Sequence, residues 1–154
     1  MKKIKRIFGS FGKKKGGLKV ELNKEKPNLE KELNGFINAN KYYTHSTGLI
    51  YTDGVKYLAD KAKAHWLINT IFNHKNDKCF NENSFQVWKL TLNEQGETIL
   101  TMQASKNGPV LISQKWLYTD FPFQEFKNQK IELLLVNNML IVPSEYSRKR
   151  LIIK

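Results

Sequence analysis

Three histidines and a single cysteine are the side chains best suited to nucleophilic or metal chemistry in this chain. A nucleophile needs a base within hydrogen-bond reach and a third group to orient that base. Cys79 follows His74 by five residues, yet no motif places an orienting group or an oxyanion hole nearby, so it reads as an ordinary loop cysteine. His45, His65, His74 and Cys79 lack the paired close spacings of a zinc site, and no metal is expected. His65, beside Trp66 in a helical pattern, reads as a core or boundary histidine. The run Gly9-Ser10-Phe11-Gly12-Lys13-Lys14 is glycine-rich but has neither Walker spacing nor a strand before it. No pair of carboxylates stands in a context that would raise a pKa. The expectation is a non-enzyme without a cofactor.

The charge distribution is more informative. The chain carries a formal net charge of +12. Lys2, Lys3, Lys5, Arg6, Lys13, Lys14, Lys15 and Lys19 fall within residues 1–20, with no acid among them. Arg148, Lys149, Arg150 and Lys154 close the chain within residues 147–154, again without an acid. Residues 21–146 hold 14 basic and 14 acidic side chains and are neutral. Cationic ends on a neutral body suit phosphates or anionic lipid. Phosphate contacts supply affinity and register, not sequence choice. Tyr42, Tyr43 and His45, in an aromatic connector, could stack unpaired bases as RNA binders do. The competing reading has the tyrosines covering a seam between helices and sheet.

At 154 residues the chain is expected to form one domain, long enough to bury about 70% of its unfolded surface. The expected organisation is a basic arm (1–20), one α+β domain (21–146) and a basic tail (147–154). The lone cysteine excludes an internal disulfide, and no apolar run reaches the 18 residues of a membrane span. The apolar stretch after Arg6 is too short for a signal peptide and is broken by Lys13-Lys14-Lys15, so the cytoplasm is the expected compartment. Ile4, Ile7, Phe8 and Phe11 share one helical face among lysines, the pattern of an interfacial amphipathic helix. Interior glycines and brevity weigh against that helix forming alone.

The body must position whatever the ends bind. Asn28 can cap a first helix with Leu29, Leu33 and Phe36 on its apolar stripe. Thr52-Asp53-Gly54 caps a longer helical region that breaks near residues 61–64, and residues 73–83 read as a polar loop. The tripeptide Tyr-Thr-Asp recurs at 118–120, and each copy is expected to cap the element after it. Strands are expected at 84–92, 98–104, 110–118, 131–136 and 139–142, with Asn137-Asn138 as a type I′ hairpin turn. Residues 119–126 read as a turn or one short helix. The expected fold is therefore α+β: N-terminal helices packed on one face of a C-terminal antiparallel five-stranded meander sheet.

These residues also carry a resemblance. Leu33-Asn34-Gly35-Phe36, Tyr42-Tyr43-Thr44-His45, Tyr51-Thr52-Asp53-Gly54-Val55-Lys56-Tyr57-Leu58-Ala59 and Ala64-His65-Trp66-Leu67-Ile68 resemble an uncharacterised bacterial family of unknown function. Phe85-Gln86-Val87-Trp88-Lys89-Leu90, Tyr118-Thr119-Asp120-Phe121-Pro122 and Pro143-Ser144-Glu145-Tyr146 continue it, so it spans roughly residues 29–146. The resemblance implies a setting on prophages, plasmids and conjugative elements, and it implies no catalytic residue. In that setting the expected role is a binding protein for RNA, DNA or an RNA-loaded nuclease. Inhibition of a host RNA-guided defence complex, in the manner of an anti-CRISPR protein, is by analogy its concrete form, competing with a housekeeping role on the element such as DNA maintenance or replication accessory work. A membrane-surface adaptor anchored by the basic arm is the alternative. A small hydrolase comes third, and would join His45 or His65 to a carboxylate in a compact pocket.

Overall fold

A computed structural model describes residues 28–146; the basic arm and the basic tail lie outside the described residues. Asn28 opens α1 (Leu29–Leu33), its side chain accepting from the Lys31 amide at 2.7 Å. Tyr42–Thr44 and Ile50–Thr52 form β1 and β2. Thr52 then caps α2 (Asp53–Ala62) through the Val55 amide. The expected break falls at Lys63, which adopts a left-handed conformation (φ 55°), and α3 (His65–Asn73) follows. A 3-10 turn (His74–Asn76) leads to α4 (Lys78–Glu82). The strands β3 (Phe85–Leu92), β4 (Thr98–Gln103), β5 (Val110–Trp116), β6 (Lys130–Val136) and β7 (Met139–Ile141) come next, and a 3-10 turn (Pro143–Glu145) ends the described chain.

The sheet is not a five-stranded meander. It is mixed and seven-stranded, ordered β1-β2-β7-β6-β3-β4-β5, with β2 and β7 parallel. Strand β6 returns to pair with β3 rather than with β5, Trp88 lying opposite Leu133. Strands β3 to β6 thus form a Greek key, with spatial order 4-1-2-3. The burial patterns explain the choice. Strand β5 buries only Ile112, which suits an edge, whereas β3 buries residues of both faces and needs a neighbour on each side. The thirteen residues between β5 and β6 (117–129) are long enough to make the return.

The connector at 41–48 also departs from expectation, since Tyr42–Thr44 pairs with Ile50–Thr52 as an antiparallel hairpin. Residues 73–83 are not merely a loop: Asp77 starts α4, which buries Phe80. The second Tyr-Thr-Asp caps no helix; Thr119 instead accepts from the Phe121 amide and meets Thr98. Asn137 and Asn138 do take positive φ values of 51° and 70°, as a type I′ turn requires.

The main core joins Leu29, Val55, Leu58, Leu67, Ile71 and Phe72 from the helices to Trp88, Leu90, Leu100, Met102, Leu133 and Leu140 from one sheet face. On the other face Val87, Leu134 and Ile141 form a second, smaller cluster, against which Phe85 and Tyr146 pack.

Candidate nucleic-acid interface and a buried carboxyl

The three body residues expected to contact bases have different surroundings. Tyr42, on edge strand β1, is 56% exposed. Tyr43 is half-buried, stacked on Tyr51 (centroids 5.5 Å apart) and covered by the Lys56 ammonium 5.5 Å away. His45 is fixed in the β1–β2 turn. Its Nδ1 accepts from the Thr47 amide, so the hydrogen rests on Nε2, which donates to Asn69 Oδ1 at 2.7 Å. Its ring meets Phe72 edge-on at 5.0 Å. Tyr43 and His45 therefore line the seam between hairpin and helices, and Tyr42 alone of the three presents an open ring. Lys2, Lys3, Lys5, Arg6, Lys13, Lys14, Lys15, Lys19, Arg148, Lys149 and Arg150 lie outside the described residues.

The histidines do not converge on one pocket. His45 meets an amide rather than a carboxylate. His65 lies 2.8 Å from Asp60, but both are about half exposed, and Lys56 shares the same carboxylate. This is an open ion-pair chain in which Lys56 and His65 pull the Asp60 pKa below its ordinary value. His74 bridges Asp77 (2.6 Å) and Gln114 (3.1 Å), tying the turn after α3 to β5. Cys79 is half-buried against the core. No group of three or more metal-binding side chains occurs among the described residues.

The body's carboxylates are largely occupied within the body. Glu30, Asp53 and Glu125 accept backbone amides from Lys127, Asn40 and Leu29. Glu32 and Glu145 accept the hydroxyls of Tyr57 and Thr52. Asp60, Asp77, Glu82, Glu97 and Glu132 face Lys56, His74, Lys78, Lys115 and Lys106. That is ten of the twelve acids in residues 28–146. The groove of about 370 Å³ beside α1 illustrates this: Lys106 faces Glu132 there, and Glu30 accepts the Lys127 backbone amide.

Glu145 was not foreseen. It is completely buried, and its Oε1 accepts from Thr52 Oγ1 at 2.7 Å and from the Val142 amide at 3.0 Å. Burial is the main cause that raises its pKa; Asp53 adds to the rise, while Thr52, Val142 and the Gly54 amide oppose it. Gly54 makes room for it. A Cβ there would stand 2.9 Å from Oε2 of the completely buried Glu145 carboxyl. Gly54→Ala is expected to destabilise by about 1–3 kcal/mol, the range for overpacking a filled site. A chemical-denaturation midpoint equal to that of the parent would show that the contact yields freely.

These features define an α+β domain built on a mixed seven-stranded sheet, with a Greek key at its centre. The chain belongs to the DUF6876 family, described as a family of unknown function, which matches residues 27–146. Comparison with curated proteins and with solved structures gives no match. The family boundaries nearly coincide with the neutral body, leaving the basic residues of both ends outside the match. No helix among the described residues is long and apolar enough to cross a membrane.

Proposed function

We propose that this chain is a non-enzymatic binding protein of a mobile genetic element or phage. Its basic ends grip nucleic acid or a nucleoprotein while the neutral body anchors them. The observation that carries this reading is the internal use of the body's own acids. Were those acids free, they would compete with phosphates for the terminal lysines and arginines. Four of the twelve face a lysine, six more accept hydrogen bonds within the body, and the body's formal charge sums to zero, so it presents the terminal cations with no net negative charge. Partner contact then releases counterions from the polyanion, the term that dominates such affinities. The concrete form is inhibition of a host RNA-guided defence nuclease, by seizing its guide RNA or its RNA-loaded form.

Purification at low salt, with and without nuclease, tests the reading. Co-purifying RNA or DNA that nuclease removes is the expected result. Clean protein that shifts no single- or double-stranded probe would overturn it, and binding confined to anionic liposomes would favour the membrane-surface adaptor. For the body, Tyr42→Ala is expected to weaken single-stranded RNA binding by about 1–3 kcal/mol, the usual worth of a stacked base. Its thermal midpoint should stay at the parent value because the ring is exposed. Unchanged affinity on a titrated probe would remove Tyr42 from the interface.

A further inference from the structure

Two side-chain oxygens among the described residues are buried without a hydrogen-bond partner, and they belong to neighbouring acids: Asp53 Oδ1 and Glu145 Oε2. An ionised carboxylate with an unpaired buried oxygen is costly, and two acids close together resist ionising at once. The surrounding donors show where a proton would go. The Val55 amide donates to Thr52 Oγ1, which leaves the Thr52 hydroxyl hydrogen to donate to Glu145 Oε1. The Val142 amide donates to the same Oε1. Both of these hydrogen bonds fall on Oε1 while Oε2 has none, although the Gly54 amide acts nearby, and the acidic hydrogen belongs on Oε2.

We propose that Glu145 is a proton-dependent latch. As a carboxylic acid it fastens the C-terminal turn Pro143–Glu145 to the first turn of α2; as a carboxylate beside Asp53 it lets that turn go. The geometry suits a latch because the Thr52–Glu145 hydrogen bond joins residues 93 positions apart, at the turn and at the cap of α2. Ser144 Oγ adds one bond, to the Leu33 carbonyl at the end of α1. Asp53 is the acid whose charge adds to the rise, and no lysine or arginine among the described residues forms an ion pair with Glu145. The α2 N-terminus and the Gly54 amide favour the anion, but burial outweighs them.

The direction of the pH effect follows from linkage. A carboxyl whose folded pKa is raised holds its proton more tightly in the native state. Its contribution is complete below its ordinary value of 4.5 and is lost as the pH rises through the folded pKa. The test compares thermal unfolding of the full chain and of Glu145→Gln between pH 4.5 and pH 8.5. Glutamine keeps the acceptor for Thr52 and Val142 and cannot ionise, so titration of the three histidines cancels in the difference. The parent is expected to lose thermal midpoint relative to Glu145→Gln as the pH rises across this range. Asp53→Asn should shrink that gap. Parallel curves for parent and Glu145→Gln would overturn the latch. Should Glu145→Gln fail to fold, ¹³C-carboxyl titration of the glutamates in the parent decides: one glutamate titrating well above the rest supports the latch, and none doing so rejects it.

Discussion

Deleting residues 1–20 is expected to abolish most of the salt-sensitive affinity for a polyanion. The eight cations of the arm, all meeting phosphates, would contribute about −7 to the slope of log affinity against log salt on duplex. This takes the full chain with its four C-terminal cations to about −11, and somewhat less on single strands, at about 0.9 and 0.7 per contact. Between 50 and 200 mM salt the arm's share of that slope costs about 10⁴-fold in affinity. Arg148, Lys149, Arg150 and Lys154 would remain, with a slope near −3.6 and a loss of about 10²-fold over the same range. Fluorescence anisotropy on one labelled probe at several salt concentrations reads both slopes. These are upper bounds, since they need every side chain to reach a phosphate, but the difference between the two chains survives partial engagement. Scrambled probes should bind equally, because backbone contacts carry no sequence information. Identical slopes for the two chains would remove the arm from the interface.

The second half of the body was the more legible in sequence, because its signals are local. Runs rich in valine, isoleucine, leucine and aromatics mark β3 to β7 to within a few residues. Asn28 and Thr52 mark helix starts through hydrogen bonds made within three residues. What escaped depends on distant partners. Strands β1 and β2 are three residues each, shorter than the window in which alternation can be recognised, and β2 earns its place by pairing with Met139 and Leu140. The return of β6 to β3 is a choice between edges that a list of strands does not contain. Short links favour a meander, and here a long link overrides that preference. Glu145 is the sharpest case. Its sequence surroundings, Pro143-Ser144-Glu145-Tyr146, look like an exposed acidic turn, and only the arrival of Thr52 and Gly54 from 93 and 91 residues away makes it a buried carboxyl. Tyr42 and Tyr43 are adjacent and alike in sequence, yet strand alternation turns one ring outward and the other onto Tyr51.

Trp88→Ala is expected to be the most damaging single change in the body. Trp88 lies in central strand β3, between β4 and β6, and is 1% exposed. Its ring packs near His74 and Phe80, joining the sheet to the segment between α3 and β3. Its indole Nε1 donates to Gln86 Oε1 at 2.9 Å, and Gln86 in turn donates to the Phe80 and Asn83 carbonyls. The fully buried Gln86 therefore has both amide hydrogens and its oxygen satisfied, as a polar group in an apolar core must. Truncation removes the largest fully buried side chain and leaves that oxygen unpaired. The cavity costs about 3–5 kcal/mol, and the orphaned acceptor about 1–3 kcal/mol where water cannot reach it. Against a total stability of about 5–15 kcal/mol, the variant should unfold at a much lower urea concentration or fail to fold at 37 °C. Trp88→Phe separates the two effects. It keeps most of the packing and loses the donor, so it should fall between parent and alanine; adding Gln86→Leu should then recover part of that loss. A midpoint for Trp88→Ala within about 1 kcal/mol of the parent would place the indole outside the core and undo the assignment of the helix-bearing sheet face.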